Sequence, residues 1–267
     1  MARRTLDLLT GAPRADELAA VLDDLVAAAR QILGDRFVGA YLHGSLAQGD
    51  ADLESDADFL IITGGPVDEE QFVALARLHH RLAHGESHWT RHLEGSYAVA
   101  AELRSLSGVG RASWPYVDHG SDRLEISNHC DTISARVILH ENGIALAGPS
   151  ATTVVPRVPG DLVVADAAAR LAEWLPDLDE WAFTDAWSQR YSVLNLARMV
   201  AAHETGQVLS KRAGAGWAAT LWGGEFAPLL EAMVAARGAT AFDDPADPAW
   251  IPQQHAFFAA VAARSGS

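Results

Sequence analysis

Apolar residues along the first half of the chain follow two rhythms. Between Ala15 and Leu33 they fall three and four apart, at Leu18, Val21, Leu22, Leu25 and Val26, which is one face of a helix, and Gly34 stands where such a helix stops. Two short apolar runs follow, Phe37-Val38-Gly39-Ala40-Tyr41-Leu42 and Asp58-Phe59-Leu60-Ile61-Ile62, each closed by polar or glycine residues; both read as buried strands. Helical spacing returns over Val67 to Ala83, and Leu93 to Leu103 reads as a third strand although it contains alanine and glutamate. The order is α-β-β-α-β. Gly108 to Asn128, rich in Gly, Ser, Asp and Pro, predicts loops with a short hairpin over one sheet edge. Thr132 to Asn142 is helical again, and Gly148-Pro149 closes the unit.

Thr152 to Gly160 contains Pro156 and Pro159 and reads as a linker. Beyond it every segment has helical period: Leu162 to Leu175, Asp185 to Thr205, Lys211 to Leu221, Phe226 to Ala236 and Pro248 to Ala263. The pattern therefore predicts a mixed α/β (α+β) domain over residues 1–155 and an all-helical bundle over 156–267. A chain of 267 residues that is 49% apolar suits one large domain or two small ones.

Charge narrows the partners. With 20 basic and 35 acidic side chains the net charge is −15, and the basic residues are scattered, so no nucleic acid is expected as a partner. The same field would attract a small cationic molecule. Cys130 is the only cysteine, which excludes an intrachain disulfide and a multi-cysteine metal site and points to a reducing, cytoplasmic setting. Asp7 interrupts the apolar run near the start, so no secretory leader is expected, and no stretch reaches the roughly 18 uncharged apolar residues of a membrane span. A monomer is expected.

The stretch richest in chemistry is His43-Gly44-Ser45-Leu46-Ala47-Gln48-Gly49-Asp50, followed by Ser55-Asp56-Ala57-Asp58-Phe59. Residues i and i+2 of a strand share a face, so Asp56 and Asp58 point two carboxylates into one volume. Two like charges so close call for a cation, and Mg²⁺, a hard ion that takes carboxylate and phosphate oxygens, is the natural one. Gly44 lets the backbone approach a ligand, and Ser45 can cap the next helical turn and aim N–H groups and its hydroxyl at a phosphate. Glu94, on the neighbouring strand, can face both aspartates and take a proton from an attacking hydroxyl.

A Gly-Ser after one strand, an Asp-x-Asp eleven residues later opening the next, and an acid on a third strand resemble the nucleotidyltransferase superfamily. The second half narrows the resemblance. Tyr191-Ser192-Val193-Leu194-Asn195-Leu196-Ala197-Arg198, His203-Glu204-Thr205-Gly206 with Lys211 after it, and Ala215-Gly216-Trp217-Ala218 resemble the helical domain of the streptomycin/spectinomycin adenylyltransferases. The likeness runs from His43 to about Ala236. It implies a nucleotidyltransferase-fold N-terminal domain, a helical C-terminal domain, an active site in the cleft between them, and transfer of AMP from ATP, with Mg²⁺, to a hydroxyl of an aminoglycoside or aminocyclitol.

Carried over residue by residue, the resemblance makes Gly44 and Ser45 phosphate contacts, Asp56 and Asp58 magnesium ligands joined by Glu94, and Glu94 the catalytic base. Arg198 and Lys211 become nucleotide contacts. Lys211 also stands out by itself, as the only lysine beside 19 arginines, at the start of a helix behind Ser210. For the acceptor the resemblance points to an aromatic residue in the first domain, Trp114, and to acids near the arginine-bearing helix, where Asp177, Asp179, Glu180 and Asp185 lie. The chain departs from the family at Ser188, where an acid is usual, and at Tyr191, where a polar residue is. That departure leaves spectinomycin, another aminocyclitol or an unrelated alcohol as acceptor.

Other readings carry less. A non-catalytic nucleotide-binding or antitoxin-like protein has no use for three clustered carboxylates, while a protein side chain or another small alcohol stays open as acceptor. His80, His84, His88 and His92 recur every four residues, but Gly85 and the strand at Leu93 interrupt any single helix that would align them. The tryptophans of the second half, Trp174, Trp181, Trp187, Trp217 and Trp222, read mainly as packing.

Overall fold

The computed structural model describes residues 2–241 and 243–266. The chain divides into two compact units, Met1–Val158 and Pro159–Ser267, a boundary just beyond the 155/156 expected from the linker prolines. The elements of unit 1 are α1 (Ala2–Leu8), α2 (Ala15–Leu33), β1 (Phe37–Leu42), α3 (Gly44–Ala47), β2 (Ala57–Thr63), α4 (Glu69–Ala83), β3 (Leu93–Val99), α5 (Ala100–Leu103), β4 (Trp114–Val117), β5 (Leu124–Ser127), α6 (Ile133–Asn142), β6 (Ile144–Ala147) and α7 (Ala151–Val154). Unit 2 holds α8 (Gly160–Trp174), α9 (Leu178–Trp181), α10 (Ala186–Thr205), α11 (Lys211–Thr220), α12 (Ala227–Ala235) and α13 (Ile251–Ser265). Among the described residues no helix is long and apolar enough to cross a membrane.

The six strands form one mixed sheet in the order β5-β4-β3-β2-β1-β6. Only β2 and β3 run parallel; every other pair is antiparallel. Alternation along β2 divides the core between two faces. Phe59 and Ile61 pack with Leu18, Leu22 and Leu25 of α2 and Leu75 and Leu78 of α4, while Leu60 and Ile62 pack with Tyr41, Trp114, and Leu139 of α6. Covered on both sides, β2 reads as an unbroken apolar run. The two covering helices are punctuated locally: α2 ends at Gly34 with φ 54°, and α4 opens on a capping box between Asp68 and Gln71.

Three expectations are corrected here. The third strand stops at Val99, and the Ala, Glu and Leu of its expected second half form the helical turn α5, as their propensities favour. The stretch Thr152 to Gly160 is not a bare linker: α7 runs into it from Ala151, and Val154, Val155 and Val158 are buried. A sixth strand, β6, closes the far edge by pairing with β1, with Gly148 beside it packed so closely that an added Cβ would lie 2.7 Å from Gly39 Cα.

In unit 2, α10 is the central element, with Val193, Leu194, Leu196, Ala197, Val200 and Ala201 all buried against the surrounding helices. Gly214 of α11 sits where a Cβ would lie 3.1 Å from Arg198 Cα, so this glycine sets how closely α10 and α11 cross. Asp185 and Ser210 cap α10 and α11 by accepting from Ser188 N–H and Ala213 N–H.

Candidate active site

Asp58 of β2 pairs in register with Glu94 of β3. Partners in a parallel ladder project to the same face, so the two carboxylates stand side by side, and Asp56 stands just before the start of β2. The turn after β1 packs directly on them. His43 N–H donates to Asp58 O at 3.0 Å, and Gly44 adopts φ +61° with its Cα so close that an added Cβ would lie 1.9 Å from Asp58 Oδ2. Glycine is required there twice, by the left-handed backbone and by the carboxylate. Ser45 is the second residue of α3 and not its cap, contrary to the expectation: the chain leaves β1 extended at His43, which takes the cap position without a side-chain bond.

Polar groups from the β4–β5 region surround the acids. Glu94 lies 3.1 Å from Tyr116 Oη and 3.1 Å from His129 Nε2, and Tyr116 Oη also reaches Asp118 Oδ1 at 2.8 Å. His119 Nδ1 is hydrogen-bonded to Asp56 Oδ1. The bond to Asp56 raises the pKa of His119, and the bond to Glu94 raises that of His129, so both imidazoles tend toward the cationic form that offsets the acidic cluster. Burial, then the charge of Glu94, pushes the Tyr116 phenol far above its ordinary range, which keeps it a hydrogen-bond donor. Burial pushes the Cys130 thiol up to about 12 and leaves it unreactive.

The donor types around the aspartates, carboxylates with no thiolate, are ones a hard divalent cation accepts. The ligand atoms gathered within 4.8 Å around Asp56 are nevertheless those of Asp56, His92 and His119. Glu94 is instead engaged by Tyr116 and His129. Tyr116, Asp118, His119 and His129 escaped the sequence reading because they lie in or beside a stretch whose pattern predicted loops and a short hairpin without fixing its register. The available signal was the hairpin itself: β4 pairs Tyr116 with Ser96, two residues from Glu94.

Unit 2 carries a second constellation. Trp174, Trp181, Trp187 and Tyr191, with Glu173 and Asp177, line a cavity of about 360 Å³. Tyr191 stacks on Trp187 at 4.4 Å and on Trp174 at 5.9 Å, and Lys211 Nζ lies 5.2 Å from the centre of the same tyrosine ring. Arg198 is half-buried, its Nε donating to Leu209 O at 2.9 Å.

Residues 26–98 match the family model of the nucleotidyltransferase domain, and residues 153–258 match that of the aminoglycoside adenylyltransferase C-terminal domain. The second half of the chain thus carries an aminoglycoside adenylyltransferase C-terminal domain behind a nucleotidyltransferase domain. Spectinomycin 9-adenylyltransferases of Staphylococcus aureus, among them those of strains Mu50 and N315, are 26% identical over 213 residues, covering 76% of this chain and 78% of theirs. The crystal structure of spectinomycin adenyltransferase AAD(9) from Enterococcus faecialis with ATP and spectinomycin superposes with a TM-score of 0.69 over 93% of this chain and 99% of that one, at 14% identity. At that identity the superposition establishes a shared fold.

Three of the residues expected at the acceptor are engaged within their own units. Trp114 is 2% exposed, its indole N–H donating to Glu102 Oε2 at 2.6 Å, so it is a core residue of the sheet and lines no surface. Ser188 is buried in the cap of α10, where its hydroxyl bonds Thr184 Oγ1. Asp185 spends its carboxylate on the same cap, accepting from Ser188 N–H at 2.7 Å and Thr184 Oγ1 at 2.9 Å. Of the nearby acids, Asp177 lines the aromatic cavity and Asp179 lies 3.3 Å from His255. Glu173, Trp174, Trp181 and Trp187 join Tyr191 there; the aromatic character of the tryptophans alone suggests mainly packing.

Proposed function

We propose that this chain transfers AMP from ATP to a hydroxyl of an aminocyclitol or aminoglycoside of the spectinomycin or streptomycin type, and so confers resistance to it. The observation that carries the reading is the register of Asp58 with Glu94 beside the Gly44 turn. It supports reading Glu94 as a proton acceptor beside the acids that would hold a nucleotide's cation. The names of the Staphylococcus aureus relatives supply the acceptor class and the adenylyl group.

In this reading Glu94, held by Tyr116 and His129, accepts the proton of the acceptor hydroxyl. The oxygen attacks the α-phosphorus in line, a new P–O bond forms, the bond to the β-phosphate oxygen breaks, and pyrophosphate leaves. Gly44 and Ser45 present backbone N–H groups to the phosphates. Asp56 and Asp58 would hold Mg²⁺, which when bound neutralises charge on the triphosphate. Arg198 and Lys211 are assigned to the phosphates from unit 2. The cavity of Trp174, Trp181, Trp187 and Tyr191 with Glu173 and Asp177 offers ring faces and carboxylates to an ammonium group, which suits a cationic acceptor. The enzyme is assigned to the cytoplasm as a monomer.

Calorimetric titration tests the reading: ATP with magnesium, followed by spectinomycin and streptomycin separately, on wild type and on Glu94→Gln. Binding of one drug to the ATP-loaded protein supports it, with Glu94→Gln binding but not turning over. Absence of ATP binding contradicts it.

A further inference from the structure

We propose that His80, His84 and Asp122 form a zinc-class transition-metal site, separate from the carboxylates of the candidate active site. The three residues each offer a ligand atom within 4.8 Å of the other two. His80 and His84 stand one helical turn apart at the C-terminal end of α4, with ring centroids 4.5 Å apart. Asp122 comes from the β4–β5 turn, far away in sequence, and its Oδ2 lies 3.0 Å from His80 Nδ1. Two imidazoles and a carboxylate, with one position left for water, are a donor set zinc accepts in tetrahedral form.

One ligand is already oriented. His84 Nδ1 lies 2.7 Å from His80 O, a bond that fixes the proton on Nδ1 and leaves the lone pair on Nε2. Metal-bound histidines are held in this way by an outer carbonyl or carboxylate. Ligand atoms around tetrahedral zinc lie about 3.3 Å apart, and the three side chains adjust to that spacing on binding. The side chains can make that move, since those of His80 and Asp122 are 64% and 42% exposed. The ion takes the place of the His80–Asp122 hydrogen bond and ties the end of α4 to the turn that carries Asp118 and His119. The other histidines of the four-residue series do not belong to this group: His88 stacks on His92 at 4.0 Å, and His92 faces His119 beside Asp56.

The test is calorimetric titration of the full chain with zinc chloride, with cobalt(II) absorption to report tetrahedral coordination, on wild type, His84→Ala, Asp122→Asn and His92→Ala. The expected result is a zinc-binding event that weakens at least about tenfold in His84→Ala and in Asp122→Asn and is kept in His92→Ala. Backbone amides of residues 118–123 should exchange more slowly with zinc in wild type and not in His84→Ala. Because the altered side chains are exposed, melting without zinc should match wild type. The proposal is overturned if wild type binds no zinc, or if His84→Ala and Asp122→Asn bind it as wild type does. It is equally overturned if the only binding event is the one lost in His92→Ala.

Discussion

Asp58 and Glu94 meet because two parallel strands share a register, whereas Trp174, Trp181, Trp187 and Tyr191 meet because separate helical segments converge. In a strand the side-chain period of two fixes which residues share a face, so a short local motif carries most of the first site. In the bundle, a residue's neighbours depend on how helices cross, and the crossing is set by contacts such as Gly214 on Arg198. A register error would erase the first site entirely, while small shifts of helices would only widen the second. Mutations should therefore act as switches in unit 1 and as graded changes in unit 2.

The largest effect is expected at Glu94. Glu94→Gln should lower turnover by about 10²–10⁴-fold while ATP still binds, measured by pyrophosphate release beside calorimetry. Next is Gly44→Ala, whose methyl would meet Asp58 Oδ2 in a left-handed backbone; at least about 100-fold of kcat/KM should be lost, the scale of a displaced reacting group. If Gly44→Ala retains activity, the strand-end geometry does not govern the chemistry.

Acid sensitivity should distinguish the units. The fully buried histidines His43 and His79 lie in unit 1, and burial lowers both to about 4 from an ordinary 6.5. The folded unit resists a proton that the unfolded chain accepts. The share of stability set by these two histidines is therefore complete above about 6.5, falls as pH drops toward about 4, and levels off below, by roughly 3 kcal/mol for each. Thermal melts across that window should show the decline, and His79→Gln should flatten it.

Smaller and graded effects belong to unit 2. Trp187→Ala should raise the acceptor KM about tenfold, a loss on the scale of one aromatic face, with little change in kcat. Trp114→Phe should lower the melting temperature and leave that KM unchanged, because the residue is core. The smallest contrast is within α11. Gly216 has open space around its Cβ position, so Gly216→Ala should stabilise by about 0.5–1 kcal/mol, whereas Gly214→Ala, pressed on Arg198, should destabilise.

The same contrast explains what could be read from the residues alone. The helix over Ala15–Leu33, strands β1 to β3 and the acids Asp56, Asp58 and Glu94 follow from local period and spacing. The surroundings of those acids do not. Residues 104–112 are ordered by a buried pair, in which Asp131 accepts from Arg136 Nη2, Gly110 N–H and Ala112 N–H. No window of adjacent residues announces that pair, so the pattern predicts a hairpin at the sheet edge but not its bounds or the positions of Tyr116 and His119. Trp114 and Trp187 show the limit most plainly: a tryptophan in a loop-like stretch proved to be core, and one in a helix proved 40% exposed. Burial of an aromatic depends on its tertiary neighbours and is not visible in its own segment.

The most direct test of the account is product analysis by mass spectrometry after incubating the protein with ATP, magnesium and spectinomycin or streptomycin, on wild type and Glu94→Gln. The account predicts a drug carrying one AMP, formed one-for-one with pyrophosphate by the wild type and absent with the variant. A Glu94→Gln protein that forms the product at the wild-type rate would contradict the role assigned to the β2–β3 register. A wild type that neither binds ATP nor modifies either drug would contradict the proposed function itself.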